Sequence, residues 1–363
     1  MSDAWLTEEQ TQLRESVLRY VDRAYDFQHR RELAASEYGF GQEHWQQFAA
    51  LGWLAAPVPE PYGGLGGSLV DVAVLMEAFG HGLVLEPYLS SVVLGAGAVV
   101  LGGGDALKSE LLPDVVEGKR LLAFAHGEPQ SRYDLTNVQT RATPDGAGWR
   151  VSGHKSVVLG GSTADQIVVS VRTAGATLEP DGLSLVVVDR NAEGVSVRGY
   201  RTVDGLRAAD VSFDDVFVRP ERILGEPGKA RTVIEQTLNS AIVAVCAEAV
   251  GIMDVLVSST RDYLKTREQF GGPISRFQVL QHRVVDMFVA HEMSRSLTYR
   301  AAGAVAGDAS ASSAASAAKV QIGKAGRLIG QEAIQLHGGM GMTDDLAVGH
   351  YFKRLTMIGK LFG

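Results

Sequence analysis

Cysteine is almost missing from these 363 residues: Cys246 stands alone. One thiol excludes an internal disulfide and any cysteine-based metal cluster, and its apolar helical surroundings mark it as buried and inert. Positive charge is also scarce. With 34 Lys and Arg against 42 Asp and Glu the formal net charge is −8, so no basic surface is available for a nucleic-acid groove. The start carries no basic segment leading into an apolar signal core. No apolar run reads as long and uncharged enough to span a bilayer, and a cytoplasmic location is the expectation. Hydrophobic content of 45% with 21% charged residues is that of an ordinary globular protein. The length calls for two or three domains.

The hydrophobic period changes twice along the chain. Thr7 and Gln10 have the spacing of a capping box, and Leu6, Leu13, Val17, Tyr20 and Ala24 recur at helical intervals. Trp45, Phe48 and Leu51 predict another helix that ends before Gly52. The proline- and glycine-rich stretch 57–71 breaks regular structure, and apolar helices follow over 70–118 with an interruption at 102–104. Residues 1–120 therefore read as a helical domain. From Leu121 the segments LLAFAHG, WRVSGHKSVVLGG, QIVVSVRT, LSLVVVDR, VSVRGYRT and DVSFDDVFVRP are short, β-branched and punctuated by Gly, Pro and Asp. They predict a β-domain over 121–222, a sandwich or a barrel. Residues 223–363 read as a four-helix-bundle-like domain with long helices over 231–265, 276–306 and 312–336. The Ala/Ser run at 309–318 has the composition of a linker. Alanine's helix propensity, and the spacing of Val320, Ile322, Leu328 and Ile329, decide for helix. The fold class is α+β and multidomain.

Two loops in the last third carry most of the chemistry. In 263–287, YLKTREQFGGPISRFQVLQHRVVDM, a helix bearing Arg267 stops near Gly271, Gly272 and Pro273. Ser275 and Gln278 have capping-box spacing, so the next helix starts there with Phe277, Leu280, Val284, Met287 and Phe288 inward. Arg267, Gln269, Phe270 and two glycines beside a helix N-terminus suit phosphate oxygens. The second loop is Gln335, Leu336, His337, Gly338, Gly339, Met340, Gly341.

The first loop is similar to the R-x-x-F-G loop of the acyl-CoA dehydrogenase family and the second to its Q-x-x-G-G-x-G loop. The chain resembles that family nearly end to end. The resemblance implies a helix–β–helix domain order, FAD, and α,β-desaturation of an acyl-CoA thioester. Flavin takes the β hydride and a glutamate takes the α proton. It makes Arg267, Gln269, Phe270, Phe277, Gln278, Gln335, Gly338 and Gly339 contacts of the nucleotide end of FAD, and it implies no metal. Stretch 57–71 would border the acyl pocket.

The family's two positions for the glutamate fall on Ala241, ten residues before Gly251, and on Gly363, nine beyond Arg354. Neither can take a proton. Glu235 and Glu248 are the nearest substitutes on the same helix, with Glu248 about 10 Å along the axis from Ala241. Asp344 and Asp345 read as capping or solvating the exit of the glycine loop. Residues for the flavin ring are largely replaced. Glu128 and Pro129 match T-E-P, but its threonine is Gly127. The serine of G-S-D is Tyr133, before Asp134, and W-x-T is Val157, Val158, Leu159. Phe124 and His126 remain as ring contacts or core, and His337 as packing or cofactor contact. The resemblance, with the ending HYFKRLT, points to the small, non-catalytic subunit of a two-component enzyme of lipid metabolism acting on dicarboxylic or sterol-derived acyl-CoA. Its partners would be a homologous subunit in a 2+2 heterotetramer, an acyl-CoA and an electron-transfer acceptor. A self-sufficient homomer with a relocated base and a scaffold protein are the alternatives.

Overall fold

The computed structural model describes residues 6–304 and 309–363. Among them six α-helices come first: α1 (Glu8–Ala24), α2 (Phe27–Ala35), α3 (Gln42–Ala50), α4 (Leu69–Gly82), α5 (Gly97–Gly102) and α6 (Asp105–Val116). Eight strands follow: β1 (Leu122–Ala125), β2 (Arg141–Asp145), β3 (Gly148–Leu159), β4 (Gln166–Arg172), β5 (Leu183–Asp189), β6 (Val195–Arg201), β7 (Arg207–Val218) and β8 (Ile223–Leu224). Then come α7 (Arg231–Thr266), the two-residue strands β9 (Glu268–Gln269) and β10 (Gly272–Pro273), α8 (Gln278–Ala302), α9 (Ala309–His337) and α10 (Ala347–Ile358). Thr7 caps α1 as its spacing predicts, its hydroxyl accepting from the Gln10 N–H at 3.2 Å while its own N–H donates to Gln10 Oε1 at 3.1 Å. The Ala/Ser run is helical from Ala309. The expected end of the preceding helix at 306 lies outside the described residues; α8 itself ends at Ala302.

The chain forms two compact units. One comprises Met1–Leu33, Leu69–Val84 and Ile242–Gly363. Its centre is the crossing of α4 and α7, which carry the same short pattern, Glu77-Ala78-Phe79-Gly80 and Glu248-Ala249-Val250-Gly251. A Cβ on Gly80 would overlap the Glu248 carbonyl, and one on Gly251 would overlap the Glu77 carbonyl. The two helices therefore meet backbone to backbone. That closeness buries both glutamates, and each is paired. Tyr299 donates to Glu77 Oε2 at 2.7 Å, with Arg295 at 3.5 Å and Arg14 at 3.7 Å from Oε1. Arg354 donates to both oxygens of Glu248, each at 2.6 Å. Contrary to expectation, α7 is by length and composition apolar enough to cross a membrane, but 72% of that apolar window is buried inside the fold. It is a core helix.

The other unit comprises Ala34–Ser68 and Leu85–Ala241. Its sheet runs β6-β7-β3-β2-β4-β5-β8, with β1 parallel to β4. The choice between sandwich and barrel resolves to one continuous mixed sheet, whose end strands β6 and β8 are not paired to each other. β4 is buried along its whole length and β5 up to Asp189, which accounts for their unbroken apolar sequence. β2 was not expected, because RATPD lacks a β-branched run. It forms as the partner of β3 through a two-residue turn, Gly146 taking φ +58°.

Replacing Gly80 or Gly251 by alanine is expected to lower unfolding stability by about 1–3 kcal/mol or more through backbone overlap. Gly323→Ala, within α9 and with open space around the added carbon, should raise it by up to about 1 kcal/mol. Denaturant midpoints of the three variants test the crossing.

Candidate functional site

Arg267 leaves α7 with its N–H still bonded to the Tyr263 carbonyl at 2.8 Å. The chain then reverses in a small hairpin, Gln269 opposite Gly272 and Glu268 opposite Pro273. The two turn residues have positive φ, Phe270 at +56° and Gly271 at +85°. Glycine adopts this freely, whereas phenylalanine is strained by roughly 1–2 kcal/mol. That strained aromatic is also 83% exposed. Arg276 staples the turn: its guanidinium donates to the Phe270 carbonyl and lies 5.2 Å over the Phe277 ring. Phe277 in turn meets Phe270 edge-on at 6.0 Å.

Two expectations for the next helix are corrected. Ser275 is not a cap, because it sits inside a 3-10 turn, Ile274–Arg276, and Phe277 takes the N-cap position of α8 without a side-chain bond. Met287 is buried and Phe277, Leu280 and Val284 are half-buried, but Phe288 is 43% exposed. One residue on from Met287 is 100° round the helix, which carries Phe288 off the buried face.

The second loop begins where α9 ends. Gly338 takes φ +61° and opens a 3-10 turn that runs to Met342. A Cβ on Gly341 would stand 2.7 Å from the Ile334 carbonyl, so packing demands glycine there. Gly339 is different: it is exposed, its φ is not positive and no atom lies within 4 Å of an added Cβ. Nothing within the chain requires glycine at that position. Arg267, Gln269, Gln278 and Gln335 are exposed as well. His337 is only 4% exposed, and its ring stacks on Tyr263 with centroids 4.5 Å apart. It is a packing residue. Beyond the loop, Lys353 donates to Asp344 at 3.0 Å and holds its carboxyl below the usual range. Asp345 lies 3.9 Å from Arg31.

The two positions expected from the sequence to correspond to the family base carry no side-chain proton acceptor. Ala241 is fully buried in α7. Gly363 is exposed, and its carbonyl accepts from Lys319 Nζ at 2.6 Å. The substitutes are occupied, Glu248 by Arg354 on both oxygens and Glu235 by Arg231 Nε at 2.8 Å. Among the described residues no cluster of three or more His, Cys, Asp and Glu has metal-binding geometry.

In the β-domain, Glu128 is buried and accepts from Gln139 N at 2.8 Å, Thr140 N at 3.1 Å, Thr140 Oγ1 at 2.7 Å, Gln130 Nε2 at 2.6 Å and Lys155 Nζ at 2.7 Å. Burial raises its pKa, but the Lys155 charge and these bonds outweigh it and hold the carboxyl at about 2. Burial pulls the Lys155 ammonium down to about 8 against the pull of Glu128. This pair ties loop 128–140 to β3 and is structural. Val158 is core, and Val157 is half exposed at φ +53° with its N–H donated to Asp210 Oδ1 at 3.3 Å. Tyr133 is exposed, and Phe124 is a core residue stacked on His126.

Three family models cover the chain: residues 7–119 match "Acyl-CoA dehydrogenase, N-terminal domain", 123–216 the middle domain and 230–360 the C-terminal domain. The chain belongs to the acyl-CoA dehydrogenase family. It is 27% identical to the probable acyl-CoA dehydrogenase YngJ of Bacillus subtilis, over 94% of this chain and 91% of that protein. Among solved structures, the Tcur3481-Tcur3483 steroid ACAD is 31% identical with a TM-score of 0.88, covering 98% of this chain and 94% of that one. The ChsE4-ChsE5 complex from Mycobacterium tuberculosis is 28% identical with a TM-score of 0.88, covering 97% and 93%. FAD is the cofactor of the family. The exposed Arg267 loop and the open backbone at Gly338 and Gly339 fit its nucleotide end. The ring end does not fit: Gly127 and Leu159 lack the threonine hydroxyls of the family pattern, Val157 lacks its tryptophan ring, and Tyr133 puts an exposed, bulkier phenol where the pattern has serine.

Glu128→Gln tests the structural assignment of the buried pair. It leaves Lys155 buried without its counter-charge and is expected to cost about 3–5 kcal/mol. Because the folded pKa of Glu128 is depressed, its contribution is present above the unfolded value of 4.5 and lost as pH falls toward 2. Acid-unfolding curves of the two proteins should therefore converge below pH 4.5.

Proposed function

We propose that this chain is the non-catalytic subunit of a heteromeric, FAD-dependent acyl-CoA dehydrogenase, paired two-and-two with a homologous subunit that carries the catalytic glutamate. The observation that carries this reading is an asymmetry within one polypeptide. Both nucleotide-end loops are intact and exposed, while Ala241 and Gly363 stand at the base positions and the ring-holding residues are replaced.

Bound FAD supplies the hydride acceptor. This chain's residues bind and orient. Arg267 would meet the pyrophosphate charge, the Gly338 and Gly339 N–H groups would offer backbone donors, Gln269, Gln278 and Gln335 would offer amide donors, and Phe270 and Phe277 would lend apolar surface to the nucleotide. The partner removes the α proton. Two further features support an assembly. Val285, Val289 and Met293, spaced i,i+4, form an apolar stripe on α8, each about half exposed. Gly323 in the middle of α9 has open space where another helix can come close. The ChsE4-ChsE5 relative is described as a complex, and the other structure as a steroid ACAD. A sterol-derived acyl-CoA is accordingly the substrate class to test first, with a soluble electron-transfer acceptor and a cytoplasmic location.

Co-purification with the homologous partner should yield one FAD per pair of chains, and the isolated chain should not desaturate acyl-CoA. Arg267→Ala in the complex is expected to weaken FAD binding by about 1.5–3 kcal/mol, measured as flavin retained after exhaustive ultrafiltration. Unaided desaturation by the lone chain defeats the proposal, as does an Arg267→Ala complex with unchanged flavin content.

A further inference from the structure

The two nucleotide loops leave different helices, yet one ring contact joins their bases. Tyr263 lies one turn before Arg267 and holds its N–H through the last helical bond, at 2.8 Å. His337 is linked by a single peptide bond to Gly338 and lies two residues past Gln335. The Tyr263 and His337 rings stack with centroids 4.5 Å apart and planes 28° from parallel. The orientation of the imidazole is set from its own helix, because Nδ1 faces the Ala333 carbonyl at 2.8 Å. A carbonyl only accepts, so Nδ1 carries the proton. Gly341 lets the following turn close on the same spot, since a Cβ there would meet the His337 Cβ at 3.1 Å.

We propose that Tyr263 and His337 are positioning residues whose stack sets the distance and angle between the Arg267 loop and the Gly338-Gly339 loop, and through them the affinity for FAD. This rests on the function proposed above. Neither side chain needs to touch the cofactor. The last turns of α7 and α9 have carbonyls without helical partners and fray readily. With the stack, the two loops are presented as one preformed surface. Without it each moves separately, and binding must order both at a cost in affinity.

A double-mutant cycle on the co-purified heteromer tests this, with the FAD dissociation constant as readout. Tyr263→Ala and His337→Ala should each weaken FAD about tenfold, and the double variant should be little weaker than either single one, as for residues that act only through each other. Tyr263→Phe keeps the ring and should bind within about twofold of the unaltered complex, whereas Tyr263→Leu keeps apolar bulk without a ring and should behave like alanine. Excess FAD should restore turnover to the single variants. Additive losses, or a phenylalanine variant as weak as the leucine one, overturn the proposal. Arg267→Ala in the same assay separates the two levels. If it leaves FAD affinity untouched, the functional reading has failed; if it weakens FAD while the Tyr263 and His337 variants bind normally, only the positioning role has failed.

Discussion

Backbone contact between α4 and α7 is the constraint from which the helical unit follows. Two glycines, each lying on the other helix's glutamate carbonyl, bring the axes closer than any side chain would permit. The same approach carries Glu77 and Glu248 out of water, and a buried carboxylate without a partner is costly. The partners then come from three further helices: Arg14 from α1, Arg295 and Tyr299 from α8, Arg354 from α10. Such pairs add little net stability, because desolvation offsets attraction. Removing one partner would leave a buried charge uncompensated, so each pair ties its helix to the crossing. The Arg267 loop and the Gly338-Gly339 loop hang from the ends of α7 and α9, and α7 is one member of the crossing itself.

Much of this was legible in the residues. A change of period at Leu121, the Thr7 cap and the helical character of the Ala/Ser run are local properties, and local chemistry decides them. The loop motifs were legible because each combines residues of special backbone or charge within a few positions. What escaped were consequences of tertiary contact. The repeated Glu-Ala-x-Gly pattern is visible in the sequence but has no meaning until two helices cross. Ser275 has the right spacing for a cap, yet the hairpin geometry at Phe270 and Gly271 delivers the chain as a 3-10 turn, and the cap passes to Phe277. Phe288 reads as inward from its helical spacing, four residues past Val284, but lies at the edge of that face and is exposed. Tyr263 reads only as the start of the loop stretch and Arg276 draws no notice, since neither belongs to a motif; an aromatic one turn before Arg267 and a histidine just before Gly338 are the available signals of the stack.

Two non-glycine residues held at positive φ, Phe270 and Val157, show how backbone geometry and side-chain chemistry part company. At Phe270 the strain comes with exposed Arg267 and Gln269 and the open turn around it, so the conformation still presents groups that a nucleotide can use. At Val157 the bulge is set by the register of β3 against β7, which shifts between Lys155 and Val158, and by the Asp210 carboxylate that holds the Val157 N–H. Arg198 and Tyr200 on β6 also donate to Asp210, at 2.6 and 3.3 Å. That strain is maintained by the sheet itself. A distorted strand is therefore no sign that a flavin ring is bound there, because the fold holds the shape whether or not the side chains retain their donors. The division of labour proposed for this chain rests on its side chains, and a fold comparison alone would assign it a complete active site.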